Sequence, residues 1–167
     1  MPDITPFLWF EDQAEEAAEF YISVFPNSRI VDVSRYGDAG PGPAGSVMVV
    51  RFELDGKPFL ALNGGKAEFA FNESVSFVID CSSQDEVDYY WENLLEGGEE
   101  IACGWLKDRY GLRWQVVPSQ MFTLLRDADP ERARRATEAM LSMKKLDIAE
   151  ISRAADGAGV TGGAVTA

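Results

Sequence analysis

Along this chain the apolar positions switch between a two-residue and a three-to-four-residue period, and they do so twice in the same order. Residues 4–10 form a compact apolar run that ends at Glu11-Asp12, a turn and helix start. Ala14, Ala17, Ala18, Tyr21, Val24 and Phe25 then recur at spacings of three and four, which predicts an amphipathic helix over 13–25 that stops at Pro26-Asn27. Residues 29–36 alternate through Ile30, Val31 and Val33. A loop, GDAGPGPAG, separates them from a strand over 46–54, and Asp55-Gly56 marks a hairpin into a strand over 58–63. The order is strand, helix, strand, strand, strand.

The order then restarts. In residues 74–81, Ser74, Ser76 and Val78 alternate with Val75, Phe77 and Ile79. Residues 83–95 read as a helix opened by a capping box, Ser83 with Glu86, and closed by Gly97-Gly98. At an offset of 70 residues Glu16 falls on Glu86, Ala17 on Val87, Phe20 on Tyr90, Tyr21 on Trp91 and Val24 on Leu94, an ordered internal repeat. Short strands at 99–102, 104–107 and 112–117 complete the second unit. The last two flank a four-residue turn, Asp108-Arg109-Tyr110-Gly111. Beyond it Leu112, Trp114 and Val116 alternate with Arg113, Gln115 and Val117, so one face packs and the other carries polar groups. After Pro118 the pattern is helical: 119–126, then from Pro130 through Ala133, Ala136, Met140 and Met143, then 146–155. Residues 156–167 are small and Gly-rich, which predicts a disordered tail.

Seven segments stand out: LWFEDQAEEAAEFY, FPNSRI, FELDGKPFLALNGG, FNESVSFVIDC, QDEVDYYWENL, GGEEIACGWLKDRYGLRWQVVP and MKKLDIA. Together, over residues 3–155, they resemble the PhnB-like branch of the vicinal oxygen chelate (glyoxalase/bleomycin-resistance) superfamily. Many of its members carry the label 3-demethylubiquinone-9 3-methyltransferase. The resemblance implies an α+β fold of two βαβββ modules, 3–66 and 73–118, each folding its strands into an incomplete barrel. A pocket between the concave sheets and terminal helices at 119–155 are implied with it. Metal-using relatives draw four ligands, typically His, Gln or Glu, from the first and fourth strand of each module. The matching positions here are Thr5, Asn63, Ser74 and Gln115. Two hydroxyls and two amides are weak neutral donors for a divalent transition metal, so we expect neither a metal nor another cofactor. The same alternation turns Phe7, Trp9, Phe59, Ser76 and Arg113 toward the cavity, a lining suited to a planar or amphipathic organic ligand.

Composition narrows the function. A chain of 167 residues with 46% hydrophobic content can fill one core or two small halves. A net charge of −13, from 28 acidic against 15 basic residues, opposes phosphate-backbone binding, so nucleic acid is not an expected partner. Histidine is absent, which removes the commonest general base and metal ligand. No apolar run long enough to span a membrane and no signal-peptide pattern is found, and Cys81 and Cys103 are not paired by spacing; a cytoplasmic protein with reduced thiols is expected. Cys103 reads either as a nucleophile beside Lys107 and Arg109 or as a small apolar filler. Asp108 reads either as a base or as the anchor of its own turn. Neither Gly-rich segment, 37–45 or 157–163, lies between a strand and a helix, where a methyl donor's cofactor loop belongs, so methyl transfer ranks third. The reading that remains is a small-molecule binding protein, sequestering or sensing, for instance a resistance-type binder of a cationic drug. The alternative is a metal-free enzyme using Arg113 and Asp108. Open curved sheets leave edges that this superfamily covers by pairing chains, so a homodimer is expected.

Overall fold

The computed structural model describes residues 4–157. Two compact units emerge, divided between Ala70 and Phe71. Each holds one four-stranded sheet, ordered β1-β4-β3-β2 in the first and β5-β8-β7-β6 in the second.

In the first unit β1 (Phe7–Phe10) runs parallel to β4 (Lys57–Asn63). Antiparallel pairing then adds β3 (Val47–Leu54) and β2 (Arg29–Arg35). Between β1 and β2 lies α1 (Ala14–Val24). Its buried stripe, Ala14, Ala17, Ala18, Tyr21 and Val24, is the one the periodicity marks. Three alanines let the helix lie close to the sheet, and Tyr21 stacks on Phe52, which stacks on Phe59, with centroids 6.4 and 5.4 Å apart. Leu8, Phe10 and Ala61 complete this core. Asp55 and Gly56 both take positive φ, 47° and 70°, as a two-residue β3–β4 hairpin demands.

The second unit repeats the plan. Strand β5 (Phe77–Cys81) is parallel to β8 (Arg113–Pro118), followed by antiparallel β7 (Trp105–Lys107) and a two-residue β6 (Glu99–Glu100). The intervening helix α2 (Gln84–Leu95) buries Val87, Trp91 and Leu94, the counterparts of Ala17, Tyr21 and Val24. Ser83 caps it, its hydroxyl accepting from the Glu86 N–H at 3.3 Å. The Glu86 carboxylate closes the box one residue early, accepting from the Ser82 N–H and hydroxyl. The strand expected over 74–81 starts only at Phe77. Upstream, the Asn72 carboxamide accepts from the Ser74 N–H at 2.9 Å and curls that stretch into an exposed turn.

Three helices follow β8: α3 (Ser119–Leu125), α4 (Pro130–Ser142) and α5 (Ile148–Ala155). Asp129 and Asp147 cap the last two with side-chain oxygens, and Pro130 occupies the first turn of α4. Val117, Met121, Ala136, Leu146, Ile151 and Ala155 form their common core. The tail expected from residue 156 lies, apart from Asp156 and Gly157, outside the described residues.

Candidate functional site

From Arg113 to Val116 the side chains of β8 alternate, before Val117 and Pro118 are both buried. Trp114 and Val116 are buried on the side of α2, with Trp114 tilted against Phe77 at 5.6 Å, whereas Arg113 and Gln115 are half-buried on the opposite, open face. Neighbouring strands place Val78 and Trp105 across from Gln115, and Lys107 across from Arg113. Gln115 Nε2 donates to Ser76 Oγ at 2.8 Å, so two of the expected site residues are in contact. Arg113 sends Nε and Nη2 to the same carboxylate oxygen of Glu73, at 2.9 and 2.8 Å, and Nη1 to the Gly111 carbonyl. That hydrogen bond from Arg113 holds the Glu73 carboxyl below its usual range. Lys107 pairs with Glu99 at 2.8 Å and lowers its carboxyl likewise. Glu73 and Glu99 were not legible as site residues, because both are surface glutamates in turn or edge positions.

In the first unit Phe7 and Trp9 stand on the open face of β1, 56% and 40% exposed, while Leu8 and Phe10 face α1. The half-buried Thr5, just before the strand, shares their parity. Trp9 is held in place: its indole N–H donates to the Gly65 carbonyl at 3.0 Å, its ring meets Phe69 edge-on at 5.5 Å, and it leaves no room for a Cβ on Gly64.

Two expected cavity residues lie on the wrong side of their strand. Phe59 is buried beneath α1 in the stack with Phe52, and Asn63, opposite Phe10, uses its amide to build the fold. Asn63 Oδ1 accepts from the Ala14 N–H at 2.7 Å, satisfying the first turn of α1, and Nδ2 donates to the Val47 carbonyl. Asn63 does border a cleft of about 450 Å³ at that end of the sheet, along with Glu11, Asp12, Glu15 and Tyr36. The polar donors of the cleft are committed, however: the Tyr36 hydroxyl donates to the Asn63 carbonyl at 2.6 Å.

As a donor set, two hydroxyls and two carboxamides do not fit a transition metal, and three of the four positions are placed for other roles. Asn63 is engaged as a helix cap, Ser74 sits in an exposed turn, and Gln115 bonds Ser76. Among the described residues no group of three or more Cys, Asp or Glu side chains could hold a metal ion. Asp108 is the anchor of its turn and is 1% exposed: Oδ1 accepts from the Tyr110 and Leu112 N–H groups, and Oδ2 from the Trp114 indole. The cations near Cys103 in sequence are engaged elsewhere, Lys107 with Glu99 and Arg109 with Glu96.

The family described as 3-demethylubiquinone-9 3-methyltransferase matches residues 2–117. The resemblance drawn over 3–155 is thus found as far as β8, with α3 to α5 outside it. A Bacillus cereus PhnB protein carrying the same methyltransferase name is 35% identical, with a TM-score of 0.65, the match covering 70% of this chain and 99% of that one. Protein PA1353 of Pseudomonas aeruginosa is 21% identical at a TM-score of 0.60, covering 71% and 98%. The fosfomycin resistance protein FosX of Listeria monocytogenes is 15% identical at 0.53, covering 75% and 98%. These last two show the fold alone. No curated protein matches the chain. With two βαβββ units and this match over most of its length, the chain belongs to the 3-demethylubiquinone-9 3-methyltransferase (PhnB-like) family of the vicinal oxygen chelate superfamily.

Proposed function

We propose that this protein binds a small organic molecule without a metal ion, on the open face of its second sheet. The contact of Gln115 with Ser76, beside the half-buried Arg113, carries this reading. A hydroxyl, a carboxamide and a guanidinium converge there on a strand whose other face is core, with Val78 and Trp105 supplying apolar surface. Thr5, Phe7 and Trp9 give the first unit an exposed aromatic face of its own, and large exposed aromatics on a packed sheet mark a binding surface.

Binding is favoured over catalysis because Asp108, the one buried carboxylate among the described residues, is held by three N–H groups and lacks the reach of a base. The family's methyltransferase name gains no support from the residues. The three strand-to-helix junctions, Glu11 to Gln13, Ser82-Ser83 and Pro118-Ser119, lack the glycines that admit a nucleotide cofactor against a helix N-terminus. Stoichiometric quenching of Trp fluorescence by a ligand, without turnover, supports the binder. Product formation abolished by Gln115→Ala or Arg113→Ala would establish the enzyme instead.

The metal-free reading rests on donor chemistry: two hydroxyls and two carboxamides, all neutral, cannot compensate the desolvation of a divalent ion. Elemental analysis of the dialysed protein should find no stoichiometric Zn²⁺, Ni²⁺, Mn²⁺ or Fe²⁺. About one ion per chain would overturn it. The chain also acts as a homodimer in this reading, since β1, β2, β5 and β6 end their sheets. No helix among the described residues is long and apolar enough to cross a membrane. Light scattering should return twice 18.4 kDa, and a value of one chain mass at micromolar concentration would exclude the dimer.

A further inference from the structure

In a chain of net charge −13, the open face of β7 and β8 is unusual in presenting two cations side by side, Arg113 and Lys107, at paired register positions. Each is covered by one glutamate, and each also lowers the carboxyl of the other pair, so the four charges form one group. The Arg113 side chain is only 12% exposed and is further fixed by the Gly111 carbonyl, whereas its partner Glu73 is 59% exposed and sits in the turn before β5. The fixed member of the pair is the cation; the movable one is the anion.

The pairing is also geometrically incomplete. A guanidinium fork matches two oxygens of one oxyanion, yet Nε and Nη2 both converge on Oε1 of Glu73. Two residues along the same face the charge gives way to Gln115, which contacts Ser76 and is flanked by Val78, 56% exposed, and Trp105.

We infer that this face is an anion-receiving subsite, in which the oxyanion of an amphipathic organic ligand takes the Arg113 fork from Glu73 while its apolar body lies along Val78 and Trp105. The inference rests on the small-molecule reading above and adds the ligand's class and its orientation. Glu73 is the internal stand-in: it neutralises a largely buried guanidinium until a carboxylate or phosphate supplies both oxygens. Because an ion pair with one exposed member contributes little, its displacement lowers affinity only modestly, and the acidic remainder of the surface selects against simple anions that bring no apolar body.

The test titrates the full-length ¹⁵N-labelled protein with 2-naphthoate, with 2-naphthyl phosphate and with neutral 2-naphthylmethanol, following the Trp105 indole and Gln115 side-chain amide signals. Both anions should bind more tightly than the neutral probe. Glu73→Gln should raise the anion-to-neutral affinity ratio roughly fivefold, and Arg113→Gln should abolish the anion preference. Arg113→Lys, which keeps the charge without the fork, should recover only part of it and guards against a folding defect. Comparison of the two anions separates carboxylate from phosphate ligands. An anion-to-neutral ratio that Glu73→Gln leaves unchanged or lowers overturns the inference. Binding of the neutral probe at these signals without anion preference overturns it while leaving the small-molecule site intact. No response to any probe defeats both.

Discussion

The indole N–H of Trp114 donates to Oδ2 of Asp108 at 2.8 Å, across the turn that joins β7 to β8. With Oδ1 accepting from Tyr110 and Leu112, a single buried carboxylate fixes both the turn and the strand that presents Gln115 and Arg113. Asp108→Ala should cost about 3 kcal/mol or more, because three N–H groups lose their acceptor and at least one is buried. Urea unfolding measures this as a lower midpoint at unchanged slope. A loss below about 0.5 kcal/mol would show that the turn stands without its carboxylate.

Trp9 and Gly64 are in mutual contact with no space to spare: a Cβ at Gly64 would come within 2.2 Å of the indole ring. Gly64→Ala should therefore displace Trp9 from its bond to Gly65, at a cost of about 1 to 3 kcal/mol. The expected sign is a shift of the Trp fluorescence spectrum at constant secondary structure, and an unshifted spectrum would mean the ring is not seated there.

How legible this was in the sequence depended on whether a strand's two faces differ chemically. In β8, Arg113 and Gln115 alternate with Trp114 and Val116, and the sidedness read from them holds. In β4, Phe59 and Ala61 alternate with Leu60 and Leu62, so both faces are apolar and nothing in the pattern tells helix side from open side. Hence the pattern places Phe59 and Asn63 in the cavity, whereas the structure packs one under α1 and uses the other to cap it. The repeat, the Asp55-Gly56 hairpin and the Asp108 turn were visible because each has a local chemical signature. Glu73 had none, since its role arises from the fold bringing residues forty positions apart together.

Cys81 is fully buried, and burial pushes its thiol up to about 12 from an ordinary 9.0. Thiol reagents should label Cys103, which is half-buried, and reach Cys81 only on unfolding. Since the folded state keeps the proton that the unfolded chain gives up near pH 9.0, Cys81 contributes a loss of stability as pH rises above that value and on toward 12. Cys81→Ala should flatten this alkaline decline, and an identical pH profile would exclude the thiol as its source.

Gln84 ties the α4–α5 connection to the start of α2: Nε2 donates to the Leu146 carbonyl at 3.1 Å, and Oε1 accepts from the Ile148 N–H at 2.9 Å. Gln84→Ala should cost about 1 to 2 kcal/mol. It should accelerate amide exchange at Ile148 and through α5 while leaving α1 protected. Uniform acceleration across the chain would instead point to global destabilisation.

Chemical-shift mapping of the labelled protein against a library of aromatic fragments, neutral and charged, decides whether the open face of the second sheet is a small-molecule site. Responding fragments should move the signals of Ser76, Val78, Trp105, Arg113 and Gln115 together. Responses confined to the acidic cleft around Glu11, Asp12 and Glu15, or no responses at all, would contradict that assignment.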